Sequence, residues 1–172
     1  MPLALAGCGV SRPRVEKVTA PETPQAPLQG PVESGAVTIT ARDKAGTTRW
    51  VARSKTSHTE FDATGNAIED LATVDGDIYS ENLIVSHFTS ERAHADQNER
   101  RLELSGSVKV SSLKQGISAQ ADQAKWMEDV KLIAMEGNVI FASNVWTLGP
   151  APVQWCKPDL TEVGTPDVFK QP

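Results

Sequence analysis

Between Ala93 and Phe141 the alternation of apolar and polar positions is written twice. The first copy runs from Ala93 to Val110 (AHADQNERRLELSGSVKV), the second from Ala124 to Phe141 (AKWMEDVKLIAMEGNVIF), a shift of 31 residues. Superposed, Leu102 falls on Ile133, Leu104 on Met135, Gly106 on Gly137, Val108 on Val139 and Val110 on Phe141. Between them stand Glu103, Ser105, Ser107 and Lys109 in one copy, and Ala134, Glu136, Asn138 and Ile140 in the other. A period of two is a strand with one dry face and one wet face. A repeat near 30 residues is one supersecondary unit stacked on itself. A fainter copy, Leu71 to Ile78, places Gly76 thirty residues before Gly106.

The glycine lies on the dry parity in mid-strand, where it marks a bulge, a bend or a close backbone approach. Each unit therefore reads as two short strand segments meeting at a glycine corner, then a turn and a return strand. The same pattern fits an ordinary β-sandwich with glycine bends and no cavity.

The flanking sequence extends this all-β reading. Val37–Ala41 alternates and is β-branched, Lys44–Thr47 is a turn, and Thr48–Ser54 returns with Trp50, Ala52 and Ser54 on one face, a hairpin pattern. Asn82–Phe88 is a strand too apolar for its faces to be assigned. No amphipathic helix of three turns is expected; Glu91–Arg101 is the best candidate and lacks a buried stripe. Residues 9–35, with Pro13, Pro21, Pro24, Pro27 and Pro31, read as an extended linker. Residues 36–147 form the folded domain in this reading, and 148–172 a Pro-rich tail in which Val153-Gln154-Trp155 is either one more short edge segment or an anchor packing back on the sheet, with Lys157 to Pro172 frayed.

Charge adds little. The net charge is −5, so no nucleic-acid partner is expected. The basic block Arg42, Lys44, Arg49, Arg53 and Lys55 precedes an acidic one from Glu60 to Glu81. Mutually attracting edges explain the two blocks better than an anion site does. At the N-terminus, Leu5-Ala6-Gly7-Cys8 matches a lipoprotein cleavage box, with Cys8 the lipidation candidate. The apolar run before it is too short for a signal core, so residues 1–8 read as a truncated lipoprotein signal. Cys8 and Cys156 offer no disulfide framework.

Catalytic and metal chemistry were sought in the same pattern. His58, His87 and His94 have no metal-ligand spacing, although His58, Glu60 and Asp62 share a strand parity. No nucleophile elbow or phosphate loop is present, and neither enzymatic activity nor a cofactor is expected. Trp50, Trp126, Trp146, Trp155 and Tyr79 are candidates for a sugar-stacking platform, and equally for core or rim.

The segment Ala121-Asp122-Gln123-Ala124-Lys125-Trp126, followed by Leu132-Ile133-Ala134-Met135-Glu136-Gly137-Asn138-Val139, resembles the OstA-like domains of lipopolysaccharide export (Lpt) proteins, LptA and LptC among them. Ala93-His94-Ala95-Asp96 with Leu102–Val108 is its upstream echo, where Ala95 stands at the commonly aromatic position. The resemblance covers Ala36 to Val145. It implies a twisted, open β-jellyroll, two antiparallel sheets in a V, with an apolar groove for acyl chains. It also implies non-enzymatic transport of lipopolysaccharide or a related glycolipid across the periplasm, and edge-strand pairing with other Lpt jellyrolls. The inward candidates for that groove, chosen by strand parity, are Ile78, Leu102, Leu104, Val108, Val110, Trp126, Ile133, Met135, Val139 and Phe141. The lipid anchor at Cys8 implies a periplasmic, membrane-anchored protein, although the anchored Lpt component usually has a transmembrane helix. The other function class considered is an extracytoplasmic carbohydrate-binding or assembly β-module with a closed core.

Overall fold

The computed structural model describes residues 31–63 and 65–169, so Cys8 and most of the linker lie outside the described residues. The strands are β1 (Val32–Ser34), β2 (Val37–Arg42), β3 (Thr48–Phe61), β4 (Ala67–Ser80), β5 (Leu83–Asp96), β6 (Arg101–Ser112), β7 (Ser118–Met127), β8 (Leu132–Ala142), β9 (Thr147–Cys156) and β10 (Val163–Gly164). The one described helix, α1, is the single turn Pro166–Phe169. All strands join one open antiparallel sheet, β1-β3-β4-β5-β6-β7-β8-β9-β10, with β2 also on β3. The chain is thus a meander: each strand from β3 to β9 pairs with its successor. β1 covers the second half of β3, and β2 covers the first.

The strands are long because most cross a corner. In β6 an extra residue at Gly106–Ser107 sits between the pairs Ser105↔Gln123 and Val108↔Ala121. In β8 the same insertion at Gly137–Asn138 lies opposite the Gln120/Gln123 step of β7. Both glycines and the residues after them have left-handed backbones: φ is 76° and 49° for Gly106 and Ser107, and 74° and 49° for Gly137 and Asn138. Each corner has an acid from the neighbouring strand packed over it. Ser107 Oγ donates to Glu91 Oε1 at 2.8 Å, and Asn138 Nδ2 donates to Asp122 Oδ2 at 2.9 Å. These contacts repeat with the sequence period, as the glycine-corner reading requires.

The other long strands turn the same corner without glycine. β3, β5 and β7 place two successive residues outward, Lys55-Thr56, Glu91-Arg92 and Asp122-Gln123, so the dry parity steps by one. Ser54 Oγ then donates to Thr56 O, and Ser90 Oγ to Arg92 O, securing the bend. β4 bends at Ala72-Thr73, with Thr73 at φ 55°. The fainter glycine copy is therefore corrected. Gly76 lies not at the corner but on the inner face, against the Phe88 ring and the Val51 carbonyl.

The corner folds the sheet onto itself, so the two halves of each long strand face one another across one core. Trp50, Phe88 and Phe141 from the first half meet Leu102, Trp126, Ile133 and Met135 from the second. The tail carries an edge strand longer than the short segment expected, and the stretch after it is packed where fraying was expected. β9 is a ten-residue strand on β8, and Leu160 beyond it is buried. Burial of Cys156 and Leu160 draws this segment back onto the sheet.

A Cβ at Gly137 would meet Asp122, at a left-handed φ; one at Gly76 would meet backbone at Val51. Gly137→Ala and Gly76→Ala are each expected to cost about 1–3 kcal/mol. Gly35→Ala, in open space, should stay within about 0.5 kcal/mol. Urea denaturation of the three variants checks the ranking.

Candidate functional site

The inward candidates chosen by parity share one interior. Ile78, Leu102, Leu104, Val108, Val110, Trp126, Ile133, Met135, Val139 and Phe141 are all buried and belong to one cluster. They face one another across the fold: Trp50, Ile78 and Val110 from the first half line the same small void as Leu102, Leu104, Trp126 and Ile133 from the second. That void is about 10 Å³, space for one water at most. In this conformation the candidates form a packed core.

Parity reasoning missed part of this interior. Leu71 and Val74 lie on it: Val74 shares the parity of Gly76 and Ile78, whereas Leu71 falls on the other parity because β4 steps at Ala72-Thr73. Phe88 also lies on it, in a stretch whose sequence is apolar on both faces. Trp50, Ala52 and Ser54 were legible as one face and are all buried.

Along the mouth opposite the corner, no backbone ladder among the described residues closes the two halves. Trp50 Nε1 donates to Arg100 O at 3.2 Å, and Gln97 Nε2 donates to Thr40 O at 3.4 Å. Glu128 lies 3.7 Å from both Arg49 and Arg100. Farther along, Ser86 Oγ donates to Pro158 O. Side-chain contacts of this kind contribute about 0.5–1.5 kcal/mol each, more where charged.

The outer face is polar and ordered in rows. His58, Asp70, His94, Glu103 and Lys125 stand opposite one another on β3 to β7. His94 Nδ1 is 2.9 Å from Asp70 Oδ1, and Lys125 Nζ is 2.8 Å from Glu103 Oε1. The Lys125 hydrogen bond holds Glu103 below the usual carboxylate range. Arg53 bridges Asp75 and Asp77, and His87 Nδ1 lies 3.1 Å from Asp77 Oδ1. Burial raises the Asp77 carboxyl, but hydrogen bonds from Arg53 and His87 outweigh it and leave the group below its ordinary value. The basic and acidic blocks thus meet in part across β3 and β4. Lys55 instead borders an open polar cleft with Thr73, Glu91 and Lys109.

His58 lies 3.4 Å from Glu60. Among the described residues no three His, Cys, Asp or Glu side chains are grouped to hold a metal. The aromatic residues do not assemble a platform: Trp50 and Trp126 are core, and Trp146 alone of the four tryptophans is exposed. Cys156 is fully buried, and burial pushes its thiol far up. No known protein-family model matches the chain, and no curated protein sequence matches it.

Two outcomes are expected. Asp77→Asn should cost about 1–2 kcal/mol at pH 7. Since the folded carboxyl titrates below its unfolded value of about 3.9, the stabilisation is present above that value and lost as pH falls through the folded pKa. Urea melts at pH 7 and pH 2.5 should show the gap between wild type and variant closing. In a Cys8→Ser chain, Cys156 should resist a thiol reagent while native and react once unfolded, followed by absorbance.

Proposed function

We propose that the chain is a non-enzymatic β-jellyroll of the lipopolysaccharide export type, LptC- or LptA-like. Tethered in the periplasm through Cys8, it holds the acyl chains of lipopolysaccharide or a related glycolipid between the two arms of its V and passes them on. One observation carries the reading: a continuous apolar interior lies between halves of a single open sheet that, among the described residues, are joined by backbone only along the corner. Parting them separates the packed core and breaks a few polar side-chain contacts, but no ladder hydrogen bond. Each acyl methylene buried in their place contributes about 0.8 kcal/mol. About six methylenes therefore match several lost polar contacts.

Pairing with a neighbouring jellyroll uses the sheet edges. Pro150 and Pro152 lack backbone donors, which blunts β9 as a partner edge. The edge formed by β1 and β2 carries no proline and is the better candidate for receiving a neighbour.

The filled interior favours a second reading, an extracytoplasmic assembly or carbohydrate-binding module whose core stays closed. Photo-crosslinking to lipopolysaccharide separates the two. A photoreactive residue at Leu104, Met135 or Val139 should label the lipid, while one at Glu103, Glu136 or Asn138 should not. Absence of labelling at the first set, with circular dichroism showing folded protein, would favour the closed module.

A further inference from the structure

The meander brings the β4–β5, β6–β7 and β8–β9 turns side by side at one end of the sheet. Exposed apolar side chains gather there: Leu83, Ile84, Leu113, Val145, Trp146 and Leu148. Their exposure is large, 59% for Leu83, 58% for Leu113 and 87% for Val145. Leu148 stands opposite the buried Phe141, so this tip is continuous with the core. Charge is almost absent: the residues of the three turns, 81–82, 113–116 and 143–146, include only Glu81 and Lys114 as charged groups. Isolated exposed apolar residues need no explanation, but a contiguous set on adjacent turns marks an interaction surface.

The backbone of the tip indicates what covers it. Leu113 N donates to Val85 O, Ser112 N to Ile117 O and Ser143 N to Trp146 O. Gln115 N donates to Ser112 Oγ, and Val145 N and Trp146 N donate to Ser143 Oγ. A strand-adding protein partner needs unpaired donors, and these are already bonded. A bilayer demands the opposite, because it offers no partner to a bare amide. The side chains protrude from turns instead of lining a groove, and Trp146 is of the type that settles at the membrane–water boundary. We propose that this three-turn tip is a lipid-surface docking site, inserting its apolar side chains into the outer part of a bilayer. It does not depend on the glycolipid reading, because it uses the outside of the fold and not its interior.

The test uses the full chain with Cys8→Ser, so that no acyl anchor contributes, and vesicles of phosphatidylethanolamine with phosphatidylglycerol. The protein should float with the vesicles, and because the tip is nearly neutral, flotation should survive 0.5 M salt, a screening length of about 4 Å. Brominated lipid should quench Trp146, and the quenching should disappear in Trp146→Phe. Leu113→Asp with Val145→Asp should lower partitioning about tenfold or more, whereas Phe61→Asp, an acidic change at an exposed apolar side chain far from the tip, should not. Thermal melts check that both variants fold; if the double variant does not, the Trp146 quenching decides. Absence of flotation, equal loss in Phe61→Asp, or unquenched Trp146 overturns the proposal. So does a dimer by light scattering that Leu113→Asp with Val145→Asp dissociates, since the tip would then cover a second copy.

Discussion

The constraint on which everything else rests is the corner. A flat meander of this length would leave one apolar face in water. Bending every long strand at the same level lets that face cover itself, so one sheet serves as both layers of the core. β6 and β8 make the bend by inserting a residue at Gly106 and Gly137, whose left-handed backbone a side chain resists. Glu91 and Asp122 pack where a Cβ would stand and accept hydrogen bonds from the next residue. The strands between them bend instead by turning two successive residues outward.

This construction divides the stabilising interactions unequally. The ladder holds each half together, the corner joins the halves covalently, and the shared apolar core packs them against one another. Across the mouth, the polar contacts Trp50–Arg100, Gln97–Thr40, Ser86–Pro158 and Arg49–Glu128 bridge them. The interior is closed at rest and nearly void-free; hydrophobic burial holds it closed, and the polar contacts across the mouth are individually worth little beside that term. Such a fold is suited to opening along one side while its ladders persist. The outer rows of paired polar side chains, from His58 to Lys125, strap neighbouring strands together and do not cross the mouth.

The repeat at Ala93–Phe141 was legible because the two units use the same device with the same residue types. Alternation therefore placed Leu102, Leu104, Ile133 and Met135 inward without further information, and the hairpin at Trp50 was equally plain. Gly76 misled because a glycine opens space for a ring as readily as it opens a turn; only the fold shows Phe88 over it. Leu71 was lost at a parity step that leaves no mark in composition, since Ala72 and Thr73 are ordinary strand residues; Val74, on the parity of Ile78, was open to the same alternation. β9 was hidden by Pro150 and Pro152, which a strand tolerates where their nitrogens face away from its neighbour. How tightly the interior is filled was illegible altogether, because alternation gives the side of a residue and not the distance to what faces it.

Opening at the mouth is tested most directly by hydrogen exchange with and without lipopolysaccharide. If acyl chains part the halves, amides in residues 97–100 and 157–162 should exchange faster with lipid present. The ladder of β4 to β7 should meanwhile keep its protection. Lipid binding with those segments unchanged or slowed would contradict opening, and would place the lipid on the outside of a closed fold.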